Sequence, residues 1–132
     1  MDTVCCHKNV KQLFDLYDEM LWIRNCEEVY FSDKIIGIQI RYALKDYDSI
    51  DDDLDYDEEH YTKICLDFER SLNLILKQTL RENNNILYIK CEKWRCHSTI
   101  SGNNYRYVST RELHPTVVEN KIRISSSHYE NF

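Results

Sequence analysis

"IIGIQIRYALKDYDSIDDDLDYDEEHYTKICLDF", residues 35–68, changes its hydrophobic period in mid-course, and that change decides the fold. At its start Ile36, Ile38, Ile40, Tyr42 and Leu44 alternate with Gly37, Gln39, Arg41 and Ala43. Successive strand side chains point to opposite faces, so this is a strand with one buried face. Gly37 in its interior predicts a bulge or a close approach to the backbone. At its end Tyr61, Ile64, Cys65 and Phe68 open a helical period that continues through Leu72, Ile75, Leu76 and Leu80 to a stop at "RENNN". That pattern is an amphipathic helix. Leu66 and Leu74 widen its apolar stripe, which predicts deep burial.

The same two periods recur on either side. Upstream, Val10, Leu13, Phe14, Tyr17, Met20 and Leu21 sit at helical spacing, so residues 8–24 read as a first helix. "EVYF" at 28–31 then reads as a short strand and "SDK" at 32–34 as a turn. Downstream, "ILYIKCEKWRC" at 86–96 alternates again, and "SGNN" at 101–104 is turn chemistry. "YRYVSTR" returns as a partner strand. A last strand, "VVENKIRIS", follows His114-Pro115, and residues 126–132 read as a flexible tail. The order is α-β-β-α-β-β-β, two helix-plus-hairpin units joined by a connector at 46–60. Each hairpin has one apolar face needing cover, so the expected class is α+β: two helices on one face of a mostly antiparallel sheet of about five strands. With 132 residues, a single domain over 1–132 is expected. The element order resembles roadblock/longin-like and profilin-like small α+β folds, a likeness of fold alone that implies a binding module.

Composition narrows the setting. No apolar run approaches the roughly 18 residues that span a bilayer, and the start of the chain has no apolar signal region, so no membrane association is expected and the location reads as cytoplasm or nucleus. Six cysteines without a secretory signal read as reduced thiols. Gly, Pro and Ala are scarce while Asn, Ile, Asp and Tyr are plentiful, a codon bias of AT-rich genomes such as those of large DNA viruses or some protists. Nine of the 23 acids lie in residues 46–59, leaving 14 acids against 17 bases, about +3, elsewhere. The basic residues are spread out, so nucleic acid is not the expected partner.

Each candidate site meets a physical objection or a condition. Asp51, Asp53 and Asp55 occupy positions 1, 3 and 5 of a calcium loop, but Tyr56 replaces its glycine and Thr62 its final Glu. Ser49 precedes Asp51 and Asp52, a context for acidophilic kinases, and Tyr129-Glu130-Asn131 resembles the Tyr-x-Asn core that SH2 domains read after tyrosine phosphorylation. Cys5, Cys6, His7, Cys91, Cys96 and His97 offer zinc-type ligands, but Cys91 and Cys96 on one regular strand face opposite ways, and whether they bind zinc stays open. The adjacent Cys96-His97 pair diverges for the same reason, so it is no nucleophilic dyad. Glu119 and Lys121 resemble the Glu-x-Lys element of PD-(D/E)XK nucleases, with Glu92 or Glu112 as the second acid for Mg²⁺.

These readings converge on a non-enzymatic intracellular interaction module without a cofactor. Its docking residues are Asp51, Asp52, Asp53, Asp55, Asp57, Glu58 and Glu59, acting with a sheet edge or helix face. The partner is a protein with a basic surface or a second copy of the chain, and a viral source would imply a host-modulating role. The alternatives are the Glu119/Lys121 metal-dependent enzyme and a structural zinc protein.

Overall fold

The structure is a computed structural model that describes residues 6–50 and 56–130. The expected order is the observed one: α1 (Cys6–Leu16), β1 (Leu21–Phe31), β2 (Lys34–Lys45), α2 (Glu58–Glu82), β3 (Tyr88–Thr99), β4 (Gly102–Val118) and β5 (Lys121–Glu130). The five strands form one sheet in chain order. Three neighbouring pairs are antiparallel hairpins, and β2 runs parallel to β3. A parallel pair needs a long crossover, which α2 supplies. The two helix-plus-hairpin units are thereby joined edge to edge at the centre of one sheet.

Both helices cover the same face. Val10, Leu13 and Phe14 of α1, and Tyr61, Cys65, Phe68, Leu72, Leu76 and Leu80 of α2, share one apolar core with Ile38, Ile40, Tyr42, Leu44, Ile89, Cys91 and Leu113 of the strands. Phe68 is its centre, with the rings of Tyr17 and Tyr42 edge-on at 5.3 Å and that of Phe14 at 6.2 Å. Among the described residues no helix is long and apolar enough to cross a membrane.

Four sequence expectations are corrected. The first helix stops at Leu16, followed by a 3₁₀ turn over Asp18–Met20, and Leu21 already pairs with Leu44. Met20 and Leu21 are buried as the helical spacing demands, but a turn and a strand bring them into the core. The stripe of α2 is narrower than expected, because Leu66 and Leu74 are 47% and 68% exposed on its outer side. Residues 58–60 of the connector belong to α2. The supposed tail is strand: Ser125–Glu130 pairs with Ser109–His114, and β4 runs through Pro115 to a turn at Glu119-Asn120. Pro115 lacks only its donor, and its partner Ile124 lies on the edge strand, where a missing hydrogen bond is tolerated. Gly37 fulfils both halves of its expectation. The register shifts beside it, and the Tyr88 ring lies against it where a Cβ would sit.

Candidate functional site

The acidic segment is fastened at both ends. Asp46 accepts two hydrogen bonds from the Arg106 guanidinium at 3.0 Å, with Arg95 at 3.9 Å and His97 at 3.6 Å. This carboxylate raises the Arg106 pKa above its ordinary value. Its own backbone N–H donates to the Cys96 carbonyl at 2.8 Å. At the far end the Asp57 carboxylate accepts the His60 N–H at 2.7 Å and caps α2, while Glu58 and Glu59 occupy the first turn, where the helix dipole favours negative charge. The Tyr47 hydroxyl donates to the Tyr56 carbonyl, and that of Tyr61 to the Lys45 carbonyl, both at 2.6 Å. The chain therefore leaves and returns at one place. Asp51, Asp52, Asp53 and Asp55 lie outside the described residues.

That place adjoins an aromatic strip on the sheet face opposite the helices. Strand alternation and register put Trp94 and Cys96 of β3, Tyr105 and Tyr107 of β4, and Ala43 and Lys45 of β2 on this face. Ala43 and Cys96 are fully buried yet stand apart from the main core, so side chains of this face cover them. Trp94 and Tyr107 meet edge to face at 5.5 Å, a favoured aromatic geometry. Lys45 lies 4.8 Å over the Trp22 ring, a cation–π distance. The Tyr107 hydroxyl shares a hydrogen bond with Thr110, the register partner of Tyr129, which continues the strip onto β5. Burial pushes the Cys96 thiol up, against a hydrogen bond with Tyr105, so it stays protonated.

Beyond Trp94 the same face turns polar. The Trp94 indole N–H donates to Glu92 at 3.3 Å, and Arg41 pairs with Glu92 at 2.8 Å. Burial pushes the Glu92 carboxyl up, but these two hydrogen bonds and the charges of Arg41 and Lys90 outweigh it and hold the carboxyl below its usual value. Asn25, Glu27, Gln39, Arg41, Lys90 and Glu92 line a small depression here.

The remaining sequence candidates are dispersed. Glu119 is not on a strand: with φ of 52° it forms the β4–β5 turn beside Asn120, so it shares no face with Lys121. Glu92 and Glu112 lie far back along β3 and β4, so the four nuclease residues do not converge. Cys91 faces the helices and Cys96 the opposite side, as a regular strand requires, and Cys6 meets Cys26 in the core. The five described cysteines are free thiols, and among the described residues no three His, Cys, Asp or Glu side chains gather around a common point. The Ser49 hydroxyl accepts the Ser98 N–H at 2.9 Å and lies 3.4 Å from His97, which holds it half-buried. Tyr129 stands half-exposed on β5, and Asn131 lies outside the described residues.

Compared with family models, curated proteins and solved structures, the chain matches none. Sequence reasoning missed the aromatic strip. Its signal was only partly available: Trp94 shares strand parity with Cys96, opposite Ile89 and Cys91, but Tyr105 and Tyr107 share the parity of the core residue Leu113, and only the register shift between Lys93 and Trp94 turns them to the other face.

Proposed function

We propose that the protein is a non-enzymatic intracellular interaction module that docks a basic protein segment on the sheet face opposite α1 and α2. The observation that carries this reading is the aromatic strip lying at the end of the sheet where the acidic segment departs. Aromatic side chains supply contact area at little entropic cost, and a dense negative charge steers a basic partner and orients it. The same charge disfavours nucleic-acid phosphates. Phosphorylation at Tyr129 would add negative charge to the strip and strengthen that selection. If the AT-rich codon bias reflects a large DNA virus, the partner is a host protein.

A labelled peptide alternating Arg and Leu, titrated at rising ionic strength, tests this reading. Affinity should fall with salt, fall again when Asp51, Asp52, Asp53 and Asp55 are changed together to Asn, and fall with Trp94→Ala. Neutralising these four is a cleaner test than deleting the segment, because Asp46 and Asp57 hold the fold. Salt-independent binding, indifference to both sets of changes, or stronger binding of an oligonucleotide would overturn the proposal.

A further inference from the structure

The helix-facing side of the sheet changes character across its width. Toward β1 and β2 it is apolar, with Cys26, Ile38, Ile40 and Leu44 buried under the helices. Toward β4 and β5 the positions that alternation reserves for apolar groups hold Lys93, Ser109, Arg111 and His128, and α2 answers them with Glu69 and Asn73. With Tyr42 and Cys91 at its apolar end, this set apart from Asn73 lines a half-open cavity of about 270 Å³ between α2 and strands β2–β5. Pockets for drug-sized ligands start at about 300 Å³, so this smaller space suits only a molecule of a few heavy atoms.

The charges in the cavity do not cancel. Both oxygens of Glu69 are engaged: Lys93 Nζ lies 2.9 Å from one and 3.1 Å from the other, and the Tyr42 hydroxyl donates to the first. Arg111 has no carboxylate partner among the described residues, and its guanidinium donates to the neutral Asn73 side chain at 3.2 Å. Ser109 and His128 flank it, His128 directly across the β4–β5 ladder with its Nε2 2.9 Å from Glu130. A guanidinium carries five N–H donors in a planar fork that matches carboxylate and phosphate oxygens. Neither Cys91 nor Tyr42 is an ionised nucleophile. Burial pushes the Cys91 thiol up to about 12 and raises the Tyr42 phenol too, so both remain protonated.

We infer that this cavity binds a small carboxylate- or phosphate-bearing molecule, its anionic group held by Arg111 beside Ser109 and His128 and its apolar part against Tyr42 and Cys91. Glu69 is a positioning residue that keeps Lys93 on the wall and offsets its charge, leaving the pull on an anion centred at Arg111. The site lies on the opposite side of the sheet from the proposed docking strip and does not depend on it.

The test is calorimetry and amide-shift NMR of the full chain with two probes, inorganic phosphate and succinate. One of them should saturate below about 10 mM, with shifts centred on Lys93, Ser109, Arg111 and His128, and the tighter probe identifies the anionic group. Arg111→Gln should weaken it by about tenfold or more, Arg111→Lys by less, and the exposed Arg123→Gln not at all. Failure of both probes to saturate, shifts centred elsewhere, or wild-type affinity in a folded Arg111→Gln variant would overturn the inference. Should Arg111→Gln not fold, the wild-type shift map decides by itself.

Discussion

The two faces of the five-stranded sheet bury residues by different means. On one, Phe68 and its neighbours on α1 and α2 close over Ile38, Ile40 and Leu44, so burial comes from elements far away in the chain. On the other, Ala43 and Cys96 are equally buried with no helix above them among the described residues, and side chains of the sheet itself cover them. The helical face gains its stability from close apolar packing under α1 and α2. The bare face gains less and leaves half-exposed rings such as Tyr105 at its surface. A face that stays partly open is one a partner can still cover.

The sharpest way to break this contrast is to truncate one anchor on each face. Phe68→Ala should cost about 3–5 kcal/mol in urea denaturation, the usual loss for a fully buried phenylalanine. Trp94→Ala should cost about 1–2 kcal/mol, since it loses one aromatic pair and part of its cover. Equal losses would mean that the bare face is a second core rather than a surface. Next in size, Asp57→Ala should cost about 1 kcal/mol through the lost cap of α2, while the exposed Asp48→Ala should stay within about 0.5 kcal/mol of wild type. That difference would separate structural from free carboxylates within one acidic segment.

Two smaller effects sharpen the picture of the bare face and its far hairpin. Glu119 and Asn120 both hold positive φ, at 52° and 62°. Glu119→Asn with Asn120→Gly should therefore raise stability by about 0.5–1 kcal/mol, read as a higher denaturation midpoint, because that pair suits the turn. For Glu92 the folded carboxyl titrates below its unfolded value of about 4.3. Its contribution is complete above that pH and is lost as pH falls through the lower folded value. Wild type should thus lose more stability than Glu92→Gln between about pH 5 and pH 3, measured as the shift in urea midpoint.

Much of the fold was legible because hydrophobic period is a local signal. The alternation at Ile36–Leu44 and the helical stripe from Tyr61 to Leu80 each identify an element without knowledge of what covers it. The misreadings arose where two conformations satisfy the same spacing. Met20 and Leu21 fit a continued helix and also a turn entering a strand, and only pairing with Leu44 selects the second. The run of serines at 125–127 has weak strand propensity, and β4 alone makes it an edge strand.

The candidate sites divide along the same line. The acidic block is visible in composition, but the roles of Asp46 as the partner of Arg106 and of Asp57 as a helix cap depend on geometry. The cavity at Arg111 was invisible, because Tyr42, Glu69, Lys93, Arg111 and His128 come from four strands and a helix spread over most of the chain.

By itself, then, the sequence determined the order of the helices and strands, the buried face of β2 and the location of the charge. Among the described residues, tertiary structure alone decided that β2 lies parallel to β3, that one sheet face stays bare with its aromatics in a row, and that a guanidinium lines a cavity without a carboxylate partner. The physical reason is range. Periodicity reports one element against an averaged interior, whereas pairing, cover and charge balance are set by residues that only the folded chain brings within a few ångströms of one another.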